Sequence, residues 1–349
     1  MVIKELAYNA KRQLESATQH PFRHAHVHEL LAACFGFKSQ ASLSTDHVLV
    51  VFDAPLAPSP ECLATLQKRL TELGYSSVAD TAGTALLQLV HELRLGAVPI
   101  EAVVRELSGE EWADADWEAD DFGNPSQPGI DWERIGLLAD SLVIAAQRNH
   151  AQAHFALALL YRGDELEETE GSEYWHSQML QGRQLTGIEL EWAMAYRQQV
   201  SDSEREAFHL REAASLGCSE ARLELSLCSA YEAEETNDFE AAKRSYAEAA
   251  SLGDVDAMRA LIYTYDQSNL FQNWVWVYLS ELLGSDLRQS TLQAYHDGGM
   301  YAGQLYDDDQ GGPLYVDGDE GVDLASISTE QELEARRVAQ QLFSRIEGR

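Results

Sequence analysis

Apolar residues recur at every third or fourth position along most of this chain, the spacing that places them on one face of an α-helix. The pattern predicts helices over 3–18, 62–75, 84–96 and 100–108. A different pattern at 47–55, HVLVVFDAP, combines β-branched residues with a closing proline and predicts a strand. The hydrophobic pattern therefore predicts a mostly α-helical protein with little sheet.

A repeated unit of helix end, tight corner and helix start occupies about residues 131–285. Two of its copies are AASLGCSEARLELSLCSAY and AASLGDVDAMRALIYTY. Each corner carries Gly or Asn, the residues that adopt the left-handed conformation closing a helix at least cost. The predicted corner residues, spaced 31–36 positions apart, are Asn149, Gly182, Gly217, Gly253 and Gly284. A period in this range is typical of a helical solenoid.

These repeats resemble the Sel1-like repeat family, which is related to tetratricopeptide repeats. Residues 151–163 read Ala-x-Ala-x-x-x-Leu-x-x-x-Tyr-x-Gly, and residues 246–253 read Tyr-x-x-Ala-Ala-x-x-Gly. The chain departs from the family at 164–171 and 232–238, where acidic loops replace the usual Gly-x-Gly-Val. The resemblance implies an α-solenoid of helix-turn-helix repeats that binds proteins and does not catalyse a reaction. A tetratricopeptide array and an irregular helical bundle are the alternatives.

Five segments are predicted along the chain. They are a helix-turn-helix-like N-terminal module at 1–45, a small, mostly helical unit with one or two strands at 46–108, an acidic and aromatic linker at 109–130, the repeat solenoid at 131–285, and a Gly/Asp-rich C-terminal segment with a closing helix at 286–349. Ser328 or Thr329, followed three residues later by Gln331 or Glu332, forms a predicted capping box at the start of that closing helix. The last four residues, IEGR, match a protease recognition sequence often introduced by cloning vectors.

The charge is strongly negative and uneven. The net charge is −33, from 25 basic and 58 acidic residues, whereas residues 1–45 hold slightly more basic than acidic side chains. A field of this sign repels nucleic acid and membranes and attracts basic partners, or else serves solubility alone. The candidate partner-binding residues are aromatic and acidic residues of the linker and acids of the two acidic loops: Trp112, Trp117, Asp120, Asp121, Glu165, Glu167, Glu168, Glu232, Glu234 and Glu235.

Two N-terminal features and one C-terminal feature suggest other functions. LAACFGFKSQASL, within residues 1–45, resembles the turn of a helix-turn-helix and gives the alternative of a nucleic-acid-associated regulator. Four histidines at 20–28 either ligate a transition metal or face water. The Asp-rich stretch at 298–324 suggests calcium, but its EF-hand pattern fails because position twelve is Ser328 and not Glu. No metal site is therefore predicted.

No pattern of known catalytic chemistry occurs in the chain. Walker A, GxGxxG, HExxH and GxSxG are absent, so we predict no catalytic residue and no cofactor. Four well-separated cysteines without CxxC, no apolar signal region and no long apolar run predict a cytoplasmic bacterial protein without membrane contact. The predicted function is an interaction scaffold or adaptor whose acidic solenoid binds a basic protein, with an inhibitor or immunity protein as its most specific form.

Overall fold

The computed structural model describes residues 1–56, 60–109, 128–162 and 171–348. Over these ranges it contains fifteen α-helices and four short strands, so the predicted mostly α-helical fold is confirmed. The chain divides into two compact units, Met1–Cys218 (unit 1) and Ser219–Arg349 (unit 2). This boundary falls within the predicted repeat region and not at its start.

The first half of unit 1 is helical with one small antiparallel sheet. Its elements are α1 (Ile3–Thr18), α2 (His24–Cys34), α3 (Gln40–Asp46), β1 (His47–Val51), α4 (Pro60–Glu72), α5 (Ala79–Glu92), β2 (Leu95–Pro99) and α6 (Ile100–Leu107). The predicted strand is confirmed as β1, and Val48 lies opposite Val98 in β2. The prediction of helix through residue 96 is wrong, because Arg94 takes a positive φ of 56° and ends the helical path before β2.

One apolar core joins the first helices of unit 1. Leu6 of α1, Leu30 of α2, Leu66 of α4 and Leu86 of α5 are all buried in it. The core spans the segments that the sequence separates at residue 45, because α1 packs on α5 and α2 packs on α4. The two predicted segments therefore share one hydrophobic core.

The second half of unit 1 contains α7 (Gly136–Ala146), α8 (Ala151–Arg162), α9 (Glu173–Leu180) and α10 (Ile188–Ser215). Between the predicted corners at Gly182 and Gly217, α10 is one uninterrupted helix of 28 residues. No Gly or Pro interrupts it, and Gln198 Nε2 and Arg205 Nη1 contact Asp202 one turn away at 2.7 and 3.4 Å. These contacts support helix through the middle of the segment.

Unit 2 is a helical array closed by a terminal helix. Its elements are α11 (Ser219–Glu235), α12 (Phe239–Leu252), α13 (Val255–Ala260), α14 (Leu270–Leu282), β3 (Gln293–His296), β4 (Leu314–Asp317) and α15 (Thr329–Glu347). A π-helical turn, Leu261–Tyr265, extends α13. β3 and β4 form an antiparallel pair, and the rings of Tyr295 and Tyr315 stack across it with centroids 5.5 Å apart.

The closing helix α15 packs on α14. Its capping box is confirmed: Ser328 Oγ accepts a hydrogen bond from the Gln331 N–H at 3.2 Å, and Gln331 Oε1 accepts one from the Ser328 N–H at 3.1 Å. Ala335 and Ala339 are fully buried, and Ile346 also packs against the apolar cluster of unit 2. The IEGR sequence thus contributes an isoleucine to the folded core.

All five corner residues have positive φ. The values are 63° for Asn149, 87° for Gly182, 98° for Gly217, 110° for Gly253 and 87° for Gly284. This is the left-handed conformation that ends a helix and redirects the chain.

Candidate interaction surface

Most of the predicted partner-binding residues fall in parts of the chain without a structural description. Those lying outside the described residues are Trp112, Trp117, Asp120, Asp121, Glu165, Glu167 and Glu168. The other three, Glu232, Glu234 and Glu235, form the last turn of α11. Residues 236–238 then connect this turn to α12, which packs along α11 as a hairpin.

Glu234 is engaged inside this hairpin. Its Oε1 accepts hydrogen bonds from the hydroxyl groups of Tyr246, at 2.9 Å, and Tyr265. Burial, followed by these contacts with Glu234, raises the pKa of Tyr246 and raises the pKa of Tyr265 to about 12. A carboxylate bound by two neutral tyrosines holds α11, α12 and the π-helical turn together, so Glu234 has a structural role and Glu232 and Glu235 are the better contact candidates.

Four aromatic rings run across the same end of the hairpin. The ring centroids of Tyr231 and Tyr246 are 6.4 Å apart, those of Tyr246 and Tyr265 are 5.2 Å apart, and those of Tyr265 and Phe239 are 6.4 Å apart. Tyr246 is buried, but Tyr231 is 55% exposed and Phe239 is 60% exposed. The two outer rings therefore present aromatic surface to solvent while the inner two pack.

Exposed carboxylates lie close in sequence to the two outer rings. Glu232 and Glu235 flank Tyr231, and Glu240 follows Phe239 at the start of α12; all three are exposed. We call the surface formed by Tyr231, Glu232, Glu235, Phe239 and Glu240 the acidic aromatic surface. Its glutamates at 232 and 235 were predicted from the sequence, whereas the aromatic pair was not. The available signal was Tyr231 four positions before Glu235, a spacing that places both on one face of a helix.

The local backbone adds to the negative potential. Glu232 and Glu235 lie at the C-terminal end of α11, which carries the negative end of the helix dipole, and the last turn contains no basic residue. The nearby Lys243 ammonium is neutralised by Asp266, with Nζ and Oδ1 2.8 Å apart. The acidic aromatic surface therefore favours a cation.

A second polar cluster lies between α8 and α10 in unit 1. His154 is 7% exposed; its Nε2 lies 3.1 Å from the carbonyl oxygen of Ala146, and its Nδ1 lies 2.9 Å from Nδ1 of His209. Since Nε2 must donate to that carbonyl, neutral His154 accepts at Nδ1 from His209. Burial, the neighbouring imidazole and Arg205 lower the pKa of His209 to about 4, and burial is the main cause of the lowered pKa of His154.

The four histidines at positions 20–28 contact different neighbours. His26 Nδ1 lies 2.9 Å from the Tyr75 hydroxyl, while the rings of His24 and His28 contact each other edge to face. Within the described ranges, no group of three or more His, Cys, Asp or Glu side chains is arranged to hold a metal ion. His20 packs near Tyr75 instead, with ring centroids 5.7 Å apart. These contacts account for all four histidines, which pack around α2.

The helix-turn-helix-like segment is built into the core of unit 1. Gly36, with φ of 83°, separates α2 from α3, and α3 contains neither Lys nor Arg. Between α2, α3 and β1 lies a cavity of about 40 Å³, with His28 and His47 among its mostly apolar lining residues. A cavity of this volume has room for only a few water molecules.

The comparisons with known proteins give no relative. No protein-family model matches the chain, no curated protein is significantly similar to it, and no solved structure matches its fold. The Sel1-like resemblance is therefore a prediction from sequence. Among the described helices, none has both the length and the apolar character needed to cross a lipid bilayer.

Proposed function

We propose that this chain is an interaction scaffold, built from Sel1-like helical repeats, whose acidic surface binds a basic protein partner. The observation that carries the proposal is the acidic aromatic surface of unit 2. There Tyr231 and Phe239 are exposed beside Glu232, Glu235 and Glu240. Aromatic anchors surrounded by complementary charge are the usual composition of a protein-binding site.

The placement of the carboxylates supports a binding role. Acidic residues at a helix C-terminus oppose the helix dipole and cost about 0.3–1 kcal/mol each. Glu232 and Glu235 both occupy such positions in α11, with no basic residue in that turn to offset them. A cost to stability that a basic partner would relieve is characteristic of a functional site.

The charge of the chain also supports this function. A net charge of −33 accelerates association with a basic protein and makes the association sensitive to salt. An inhibitor that covers the basic surface of a toxin is the most specific form of this proposal. Binding through positioned charges and rings needs neither catalysis nor a cofactor.

The test compares binding of a basic partner by charge-matched variants. The partner is isolated by affinity capture from the native lysate, purified, and titrated against the full chain at low and high salt. We expect Glu232→Gln/Glu235→Gln to weaken binding at low salt. Glu330→Gln/Glu347→Gln removes the same charge from exposed positions of α15 and serves as the control. Equal affinities of both double variants, or binding insensitive to salt, would refute the proposal.

A further inference from the structure

We propose that the acidic aromatic surface recognises arginine side chains of its partner in preference to lysine. This inference rests on the proposed function and specifies the chemistry by which the same surface selects a partner. The carboxylates attract either cation, whereas the aromatic rings at Tyr231 and Phe239 favour the planar guanidinium.

Unit 2 already contains an arginine bound in this way. The guanidinium carbon of Arg336 lies 3.9 Å from the ring centroid of Tyr278. Its Nη2 lies 3.2 Å from Oε1 of Glu332, and its Nη1 lies 4.0 Å from Oε2 of Glu281. Tyr278 and Glu281 are three positions apart on α14 and share one face of it. The arginine is therefore held between an aromatic face and two carboxylates.

The acidic aromatic surface contains the same kinds of group that hold Arg336, namely an aromatic ring and a carboxylate on one helix face. Tyr231 and Glu235 are four positions apart on α11, so they also share one helix face. Glu232, the residue after Tyr231, lies on a different face and adds only negative charge nearby. Within the described part of the chain, no arginine or lysine covers the ring of Tyr231 or Phe239. The place taken by Arg336 over Tyr278 is thus open to a side chain from another molecule.

The other ring–cation contacts in the described residues support the choice of arginine. In each of them an arginine lies over the ring: Arg12 over Tyr8 at 5.8 Å, Arg183 over Trp175 at 4.9 Å and Arg205 over Tyr161 at 5.3 Å. A guanidinium is weakly hydrated and can stack while its N–H groups bind carboxylates, whereas an ammonium keeps its water. The aromatic part of the surface therefore contributes selectivity and the acidic part contributes attraction.

The surface is held in place before a partner arrives. Glu234 binds Tyr246 and Tyr265, the two inner rings, and Tyr231 and Phe239 each pack against one of them. Side chains that are already ordered lose little entropy on binding. This favours recognition of individual side chains over a diffuse charge interaction.

The experiment measures the affinity of the full chain for two short peptides by fluorescence anisotropy at low and high salt. One peptide alternates arginine with serine, and the other has lysine at every arginine position. We expect the arginine peptide to bind about fivefold more tightly, the effect of one or two exposed cation–π contacts. Tyr231→Leu/Phe239→Leu should remove this preference and keep salt-dependent binding of both peptides. Tyr8→Leu, which removes a similarly exposed tyrosine already covered by Arg12, should retain it.

The outcomes separate this inference from the proposed function. Equal, salt-sensitive binding of both peptides would refute arginine recognition and leave the acidic scaffold intact. An arginine preference that persists in the double variant would place recognition elsewhere and also refute the inference. Binding of neither peptide would refute both proposals. Circular dichroism checks folding, and Tyr231→Leu alone replaces the double variant if Phe239→Leu disturbs α12.

Discussion

The paired imidazoles of His154 and His209 predict a specific loss of stability in mild acid. Both imidazoles are neutral in the folded protein, because His154 donates to Ala146 and accepts from His209. A proton added to His209 would place a positive charge in a partly buried site beside Arg205, and a second proton, on His154, would set N–H against N–H. The groups facing the pair are Arg205 and Glu212 of α10 and His150 before α8.

The size and direction of the effect follow from the pKa of His209. Folding lowers this pKa from 6.5 to about 4, so the unfolded chain binds the proton more readily between these values. Stability is therefore fully present above pH 6.5 and is lost as the pH falls toward 4. The full shift corresponds to about 3 kcal/mol at 1.36 kcal/mol per unit. His209 is partly exposed, so screening by solvent reduces our expectation to about 1.5 kcal/mol.

The perturbation is His209→Asn, which keeps an N–H donor near His154 and removes the titrating group. Urea unfolding is followed by circular dichroism from pH 7.5 to 4.5 for both proteins, and NMR follows the His209 resonance directly. We expect the wild-type advantage over the variant to shrink by about 1.5 kcal/mol across this range. A constant difference between the proteins, or a His209 titration near 6.5, would show that the imidazole pair does not form.

Three further predictions concern stability and are checked by urea unfolding. Glu234→Gln should destabilise the chain by about 1–2 kcal/mol, because the hydrogen bonds that two tyrosines donate to residue 234 become weaker. The same change should lower the pKa of Tyr265, measured by ultraviolet titration. Glu240→Gln is the exposed control, and equal effects of the two variants would contradict the internal role of Glu234. Gly96→Ala should cost more than about 2 kcal/mol, because its Cβ would lie 1.9 Å from the buried ring of Phe52; a neutral result would mean that β2 does not pack there. Gly253→Ala should cost about 1–2 kcal/mol, because its φ of 110° is one that L side chains rarely adopt, and an unchanged midpoint would argue against that turn.

The features that the sequence predicts well are local. β1 was predicted because a β-branched run is followed by proline, and the closing helix because Ser328 and Gln331 are three positions apart. The break between α5 and β2 was missed because Arg94, not a glycine, takes the positive φ. Its backbone conformation is set by pairing with a distant strand, which no local pattern encodes.

The candidate surface was predicted only in part, for a similar reason. The sequence shows that the end of α11 is acidic. It does not show that Glu234 binds inside the hairpin while Glu232 and Glu235 are exposed. That distinction depends on Tyr265, which is 31 positions from Glu234 along the chain. The length of α10 was not predicted, because the repeat spacing gives the corners at Gly182 and Gly217 but not the structure between them.

The continuity of α10 has a consequence for which changes of length the chain tolerates. At 1.5 Å and 100° per residue, the helix is about 42 Å long, and the direction of each side chain around its axis is fixed relative to all the others. The carbonyl of Trp192 accepts the Ser172 N–H near one end, and His209 meets His154 near the other. One residue inserted between these contacts would rotate His209 by about 100° around the helix axis, away from His154. A loop at the same place would absorb that insertion, so we expect homologues to vary in sequence along α10 but to keep its length.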